Sequence, residues 1–294
     1  MRPRHLALAV AVAAIWGFNF VVIDAGLDHF PPLMFSALRF GLAAFPALLF
    51  VGRPQVPWRW VIAVALILGV TKFSLLFAGM AAGMPAGLSS LVLQSQAIFT
   101  MLFAVLFLRE RPRRIQIAGL AVAVAGVLVV ATRMGANLPA FLLVVGAAVA
   151  WGLSNVATRK ASPPDSLRFM VWVSALATGP LVVLSLLIDG PSADLAALRA
   201  INTEALLSLL YIALVSTLAG FAGWGLLLRV YGAATVAPFS MLVPFFGIAS
   251  AAVFLGEPVF PVDVVGGVLV VGGVLLGLVR GDLFSSRRLV RVET

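Results

Sequence analysis

The chain has no cysteine, only two histidines, and only 11% charged residues. Without cysteine there can be no disulfide framework, Fe–S cluster or thiolate metal site. His5 and His29 cannot form a metal or catalytic cluster by themselves, so no metal and no cofactor are expected. Charge is also too scarce for a soluble domain. The 20 Lys+Arg and 11 Asp+Glu cannot coat a fold of 294 residues, where about a quarter of positions are normally charged. Disorder is excluded by the same composition, since 62% of the residues are apolar. What remains is a membrane protein.

Crossing about 30 Å of hydrocarbon takes roughly 20 apolar residues in a helix. Such stretches run near 6–27, 33–51, 60–82, 86–107, 115–132, 139–158, 168–188, 205–228, 233–255 and 261–279. None alternates as a barrel strand does, so the sequence predicts an all-α integral membrane protein with ten transmembrane helices. Connections are short. The longest, 189–204, is expected to form a brief interfacial helix capped by Ser192. Arg2 and Arg4 before an apolar run resemble a signal peptide, but the run outlasts a typical h-region, and the first span is expected to be retained.

The net charge of +9 raises nucleic acid as a partner, and the position of the cations argues against it. With the N-terminus inside, the inner segments hold Arg2, Arg4, Arg53, Arg59, Arg109, Arg111, Arg113, Arg114, Arg159, Lys160, Arg168, Arg229, Arg280, Arg287, Arg288 and Arg291. The outer segments hold only Arg133 and Arg199, while Arg39 and Lys72 fall inside spans. This bias predicts cytoplasmic termini and a basic cytoplasmic tail at 283–294. The partners are then a lipid bilayer and a small molecule rather than nucleic acid.

The chain also repeats itself. FLRE at 107–110 returns as FLGE at 254–257, a shift that carries Gly119 to Gly266 and Gly126 to Gly273. Trp16-Gly17-Phe18-Asn19 returns as Trp151-Gly152-Leu153-Ser154. The expected units are 1–135 and 136–282, each with five spans. Because five is odd, the second unit enters the membrane from the opposite side, giving two inverted five-helix repeats. That architecture is used by transporters, with the substrate held near the midplane.

These elements, a WG-x-[NS] near the start of each unit and an apolar run closed by Leu-x-Glu and spaced glycines, resemble the EamA-type domains of the drug/metabolite transporter superfamily. The resemblance covers nearly the whole chain and is nearest to the bacterial YddG-like amino-acid exporters. It implies a pathway between the halves, inner-membrane location and export of amino acids, aromatic ones above all. One departure is Asn155 after Ser154, where the first unit has Phe20 after Asn19.

Polar groups at membrane depth are the candidate site residues. Lys72 falls in the middle of span 3, where a cation costs several kcal/mol unless paired or hydrated, so it is expected to face a cavity and attract a carboxylate. Trp16 and Trp151 lie halfway through their spans, placed either to flank a substrate or to pack helices beside Gly17 and Gly152. Asn19, Ser154 and Asn155 lie close to them in sequence; Gln94 and Ser240 sit at similar depth, with Pro244 as a kink. Gly17, Gly152 and Pro244 are the candidate hinges. Arg39 is expected to form a structural ion pair with Asp24. The glycines of spans 5 and 10 serve either internal packing or a weak homodimer of an otherwise monomeric chain.

No Asp or Glu lies at mid-depth, which disfavours a proton-coupled exporter of lipophilic cations, and one central lysine is few for a phosphate-rich substrate. A zwitterion or monocarboxylate fits better. The sequence therefore predicts an amino-acid exporter working by alternating access, and not an enzyme. The rivals are a multidrug or other metabolite exporter on the same scaffold, an intramembrane enzyme, which lacks mid-depth His, Cys and paired carboxylates, and a receptor or scaffold without flux.

Overall fold

A computed structural model describes residues 1–278, and the predicted basic tail lies outside them. Among the described residues there are helices and no strands. Eight helices are long and apolar enough to cross a membrane: α1 (Pro3–Leu27), α3 (Trp58–Ala81), α4 (Ala86–Leu108), α5 (Arg114–Ala131), α6 (Leu138–Ala161, entered by a 3₁₀ turn), α7 (Ser166–Ile188), α9 (Thr203–Tyr231) and α10 (Ala237–Phe254). Two further apolar helices are shorter, α2 (Pro32–Leu48) and α11 (Pro261–Leu278). The connection at 189–204 does hold a short helix, α8 (Pro191–Arg199), but its cap is Gly190 at φ 95° and not Ser192. Pro191 at the first helical position moves the start upstream of the predicted one, because its fixed φ suits that place. Buried Asp194 accepts the Ser185 hydroxyl at 2.8 Å and ties α8 to α7.

The helices are apolar on all sides, as a lipid solvent requires. Large side chains such as Phe50 (87% exposed) and Leu187 (76%) face outward, while Phe35, Phe40, Phe77 and Leu181 fill one interior cluster. With no water to exclude between helices, close backbone approach does the packing. The most extensive contacts are α5 with α11, α3 with α6, α4 with α6, α1 with α10 and α2 with α7.

These contacts pair off between the two parts of the chain. A Cβ on Gly17 would lie 2.8 Å from the Gly247 nitrogen and 2.9 Å from the Phe246 carbonyl carbon. One on Gly152 would lie 2.8 Å from the Thr100 nitrogen and 2.9 Å from the Phe99 carbonyl carbon. Each WG element thus presses its helix against the helix that ends in Leu-x-Glu of the other part. Between α5 and α11, Gly119 faces the Gly273 carbonyl and Gly126 faces that of Gly266 crosswise. This stripe therefore packs within the chain.

α3 and α9 share an interruption. Both widen into π-helix, over Ala65–Lys72 and Tyr211–Ala219. In each, a threonine hydroxyl donates to the carbonyl five residues back, Thr71 to Leu66 at 3.0 Å and Thr217 to Ile212 at 2.7 Å. A π turn disturbs the i to i−4 ladder, and these hydroxyls satisfy the displaced carbonyls. α4 carries a 3₁₀ segment in its middle, Leu93–Ser95, and α10 begins with one, Ala237–Leu242. Pro244 stands at the start of the α-helical part of α10, where its missing N–H costs least.

Candidate functional site

Some of the sequence-predicted polar residues line a cavity and others meet in a buried cluster. The cavity, of about 370 Å³, lies among α4, α5, α6, α10 and α11, so both parts of the chain line it. Gln96, Thr100, Gln116, Asn155 and Ser240 are its polar residues, and Glu110 and Arg159 stand at its mouth as an exposed ion pair. The Asn155 amide donates to Gln96 Oε1 at 2.7 Å and to Thr100 Oγ1 at 3.1 Å, while the Thr100 hydroxyl donates to the Gln96 carbonyl at 2.7 Å. The Ser240 hydroxyl donates to the Ala237 carbonyl at 2.7 Å and still has lone pairs to offer.

The buried cluster holds the cations. Lys72 (5% exposed) ends the π segment of α3, and its Nζ stands 3.4 Å from the centre of the Phe73 ring and 5.0 Å from that of Trp151. Arg39 (3% exposed) reaches the same Phe73 ring, with Cζ 4.3 Å from its centre. Its Nε donates to Thr217 Oγ1 at 3.1 Å. The expected Arg39–Asp24 ion pair does not form; among the described residues neither Arg39 nor Lys72 has a carboxylate within ion-pair distance. Arg39 turns instead across α2 toward α9, where the hydroxyl of Thr217 has given its own proton to Ile212 and is left as an acceptor.

Trp16 and Trp151 occupy different surroundings. The Trp16 indole donates to the Ser216 carbonyl at 3.0 Å and packs against Phe221 and Trp224, while Trp151 faces Lys72. Asn19 is buried with Oδ1 unpartnered, and Gln94 is buried in the 3₁₀ segment of α4. Ser154 spends its hydroxyl on the Trp151 carbonyl at 2.8 Å. Of the eight predicted binding residues, Asn155 and Ser240 line the cavity, Lys72 and Trp151 meet each other, and Trp16 is hydrogen-bonded into α9. Trp151 lies one helical turn from Asn155 on α6, which links the cation cluster to the cavity. Thr100, Glu110 and Thr217 were not singled out from sequence as site residues. Their partners on other helices lie 49 to 178 residues away, and no local spacing announces those contacts.

At the opposite end from the Glu110–Arg159 pair, Glu257 bridges the parts differently. Its carboxylate accepts the Ala86 and Gly87 N–H groups at 2.6 and 3.0 Å, capping the start of α4. A carboxylate on the first amides of a helix is well placed for both hydrogen bonding and the helix dipole.

Comparison with known proteins places this geometry in a family. The EamA-like transporter family model matches residues 4–132 and again 138–279. A probable amino-acid metabolite efflux pump of Salmonella typhimurium is 42% identical over 294 residues, covering 97% of each chain. One of the same description from Escherichia coli is 39% identical, over 95% of this chain and 96% of its own. A probable terminal-alkyne amino-acid exporter of Streptantibioticus cattleyicolor is 29% identical over 91% of both. A crystal structure 19% identical in sequence superposes over the full length of both chains with a TM-score of 0.62, which shows the fold. With two matches of the family model spanning most of its length, the chain belongs to the EamA-like transporter family of the drug/metabolite transporter superfamily.

Proposed function

We propose that this protein exports amino acids, with aromatic ones preferred, across a bacterial inner membrane by alternating access between two inverted five-helix units, 1–135 and 136–282, with α2 and α11 as the remaining spans and both termini cytoplasmic. The observation that carries this reading is the buried Lys72, which has no acidic partner among the described residues and lies against the rings of Phe73 and Trp151. A cation at membrane depth marks a substrate path, and a lysine bordered by aromatic faces suits a carboxylate attached to an apolar or aromatic side chain. The crosswise glycine contacts support the inverted relation, since an axis that exchanges Gly119 with Gly266 and Gly126 with Gly273 carries each contact onto the other. Amino-acid and amino-acid metabolite export by the named relatives supports the substrate class.

In this mechanism substrate enters the cavity from the Glu110–Arg159 end, where Gln96, Asn155 and Ser240 offer hydrogen bonds. It then passes Trp151 to Lys72. Gly17, Gly152 and Pro244 are the hinges at which α1, α6 and α10 shift. Asn19, Gln94, Trp16 and Ser154 border the path, and the protein works as a monomer.

The test is uptake of labelled phenylalanine, tryptophan and threonine into liposomes holding purified protein, with and without a pH gradient. Wild type is expected to carry phenylalanine and tryptophan faster than threonine, and Lys72→Ala to lower the flux by more than about tenfold, the scale of losing one charge-assisted contact. Flux unchanged by the substitution would remove Lys72 from the path. Competition by cationic drugs and none by amino acids would favour a multidrug exporter on the same scaffold.

A further inference from the structure

Arg39 was expected to be a structural residue, and its surroundings do not give it that role. Among the described residues the acids are almost all engaged elsewhere. Asp189 caps α2 through Leu33 and Met34, Asp194 holds Ser185, and Glu257 caps α4. Glu110 pairs with Arg159, Asp165 with Arg168, Glu204 with His29 and Asp263 with Arg133. Asp24 and Asp28 make no ion pair with Arg39. The guanidinium keeps one hydrogen bond, from Nε to Thr217, and its Nη1 is buried with no acceptor.

Lys72 stands against the same Phe73 ring, so two buried cations border one aromatic side chain. A ring quadrupole offsets part of one charge and not two, and the cations repel each other. An arrangement of this kind is held for an anion absent from the protein itself. The shape of the two donors narrows the choice. The fork of Arg39 fits a planar carboxylate in a directional way, and Lys72 adds a point charge. The cluster also joins the two parts of the chain, since Arg39, Lys72 and Phe73 come from α2 and α3 while Thr217 and Trp151 come from α9 and α6.

We propose that Arg39 and Lys72 together form a carboxylate-binding site, with Arg39 as the directional anchor, and that the transported molecule is selected by its carboxylate and not by its amine. This rests on the transport reading above and narrows it. Amino acids and deaminated or N-blocked acids of the same side chain are accepted. Amides, esters, amines and lipophilic cations are refused by the two positive charges.

The test uses ligand-induced thermal stabilisation of the purified full-length protein in detergent, with phenylalanine, 3-phenylpropionate and phenylalaninamide as probes. Wild type is expected to be stabilised by the first two and not by the amide. Arg39→Gln should weaken binding of both carboxylates by at least about tenfold, with Arg39→Lys in between. The ligand-free Arg39→Gln protein should melt at or above the wild-type temperature, because an uncompensated buried charge has been removed. A structural role would do the reverse, lowering the melting temperature of the ligand-free variant while leaving carboxylate affinity in the folded fraction unchanged, and that result overturns the proposal. If the amide matches phenylalanine, the carboxylate site fails and amino-acid transport stands. If phenylpropionate binds and phenylalanine does not, the site stands and the amino-acid reading fails. If no probe binds, both fail.

Discussion

The two WG elements have the same backbone environment and different chemistry. Gly17 and Gly152 press on the α10 and α4 backbones at nearly equal distances, each meeting a Phe carbonyl carbon and the next residue's nitrogen. The tryptophans beside them diverge. Trp16 docks into α9, where its N–H meets the Ser216 carbonyl and its Nε1 would lie 2.7 Å from a Cβ on Gly220. In α9 Gly220 leaves room for the Trp16 ring, whereas Lys72 of α3, set against the Phe73 ring, stands over Trp151. Trp151 is thereby left to face a cation. The glycine contacts are alike in the two parts, while one tryptophan is hydrogen-bonded into a neighbouring helix and the other faces a cation, as a wall of the proposed binding region.

The comparison is sharpened first at the glycines. Gly17→Ala and Gly152→Ala should each cost about 2 kcal/mol, since a Cβ meets backbone with no flexible neighbour to yield. Thermal unfolding in detergent checks this, and a large loss at one position only would break the likeness. Next come the tryptophans. Trp151→Ala should weaken phenylalanine binding by about tenfold through the lost aromatic contact. Trp16→Phe should leave binding intact and lower stability by about 1 kcal/mol, the value of its hydrogen bond. The smallest difference lies at the ends of the molecule. Glu257→Gln should destabilise by about 1 kcal/mol through the weakened cap on α4, whereas Glu110→Gln, in an exposed ion pair, should change stability by about 0.5 kcal/mol or less.

The apolar helices were legible because each run is a local signal that announces its own length, and WG and Leu-x-Glu each recur in the second part of the sequence, at different shifts. The family followed from the same motifs. The contacts among site residues were less legible. Arg39 was assigned to Asp24 on the strength of depth along two neighbouring spans, yet a helix position fixes depth and leaves direction open, and the side chain points to α9. The π segments were missed because Thr71 and Thr217 look like ordinary span residues until the carbonyls five residues behind them are located. Ser192 offered a better capping side chain than Gly190, but Pro191 set the start of α8.

The seam between α5 and α11 bears on how such a molecule moves. Bare backbone touches bare backbone at two points, Gly119 on Gly273 and Gly126 on Gly266, with no side chain between to stretch or refold. Helices held that way tilt about their contact more readily than they separate. In the proposed alternating-access cycle the seam is the fulcrum, displaced least while the far ends of the other helices swing most, and enlarging Gly126 or Gly266, which stand outside the cavity, is expected to jam the swing without touching its lining.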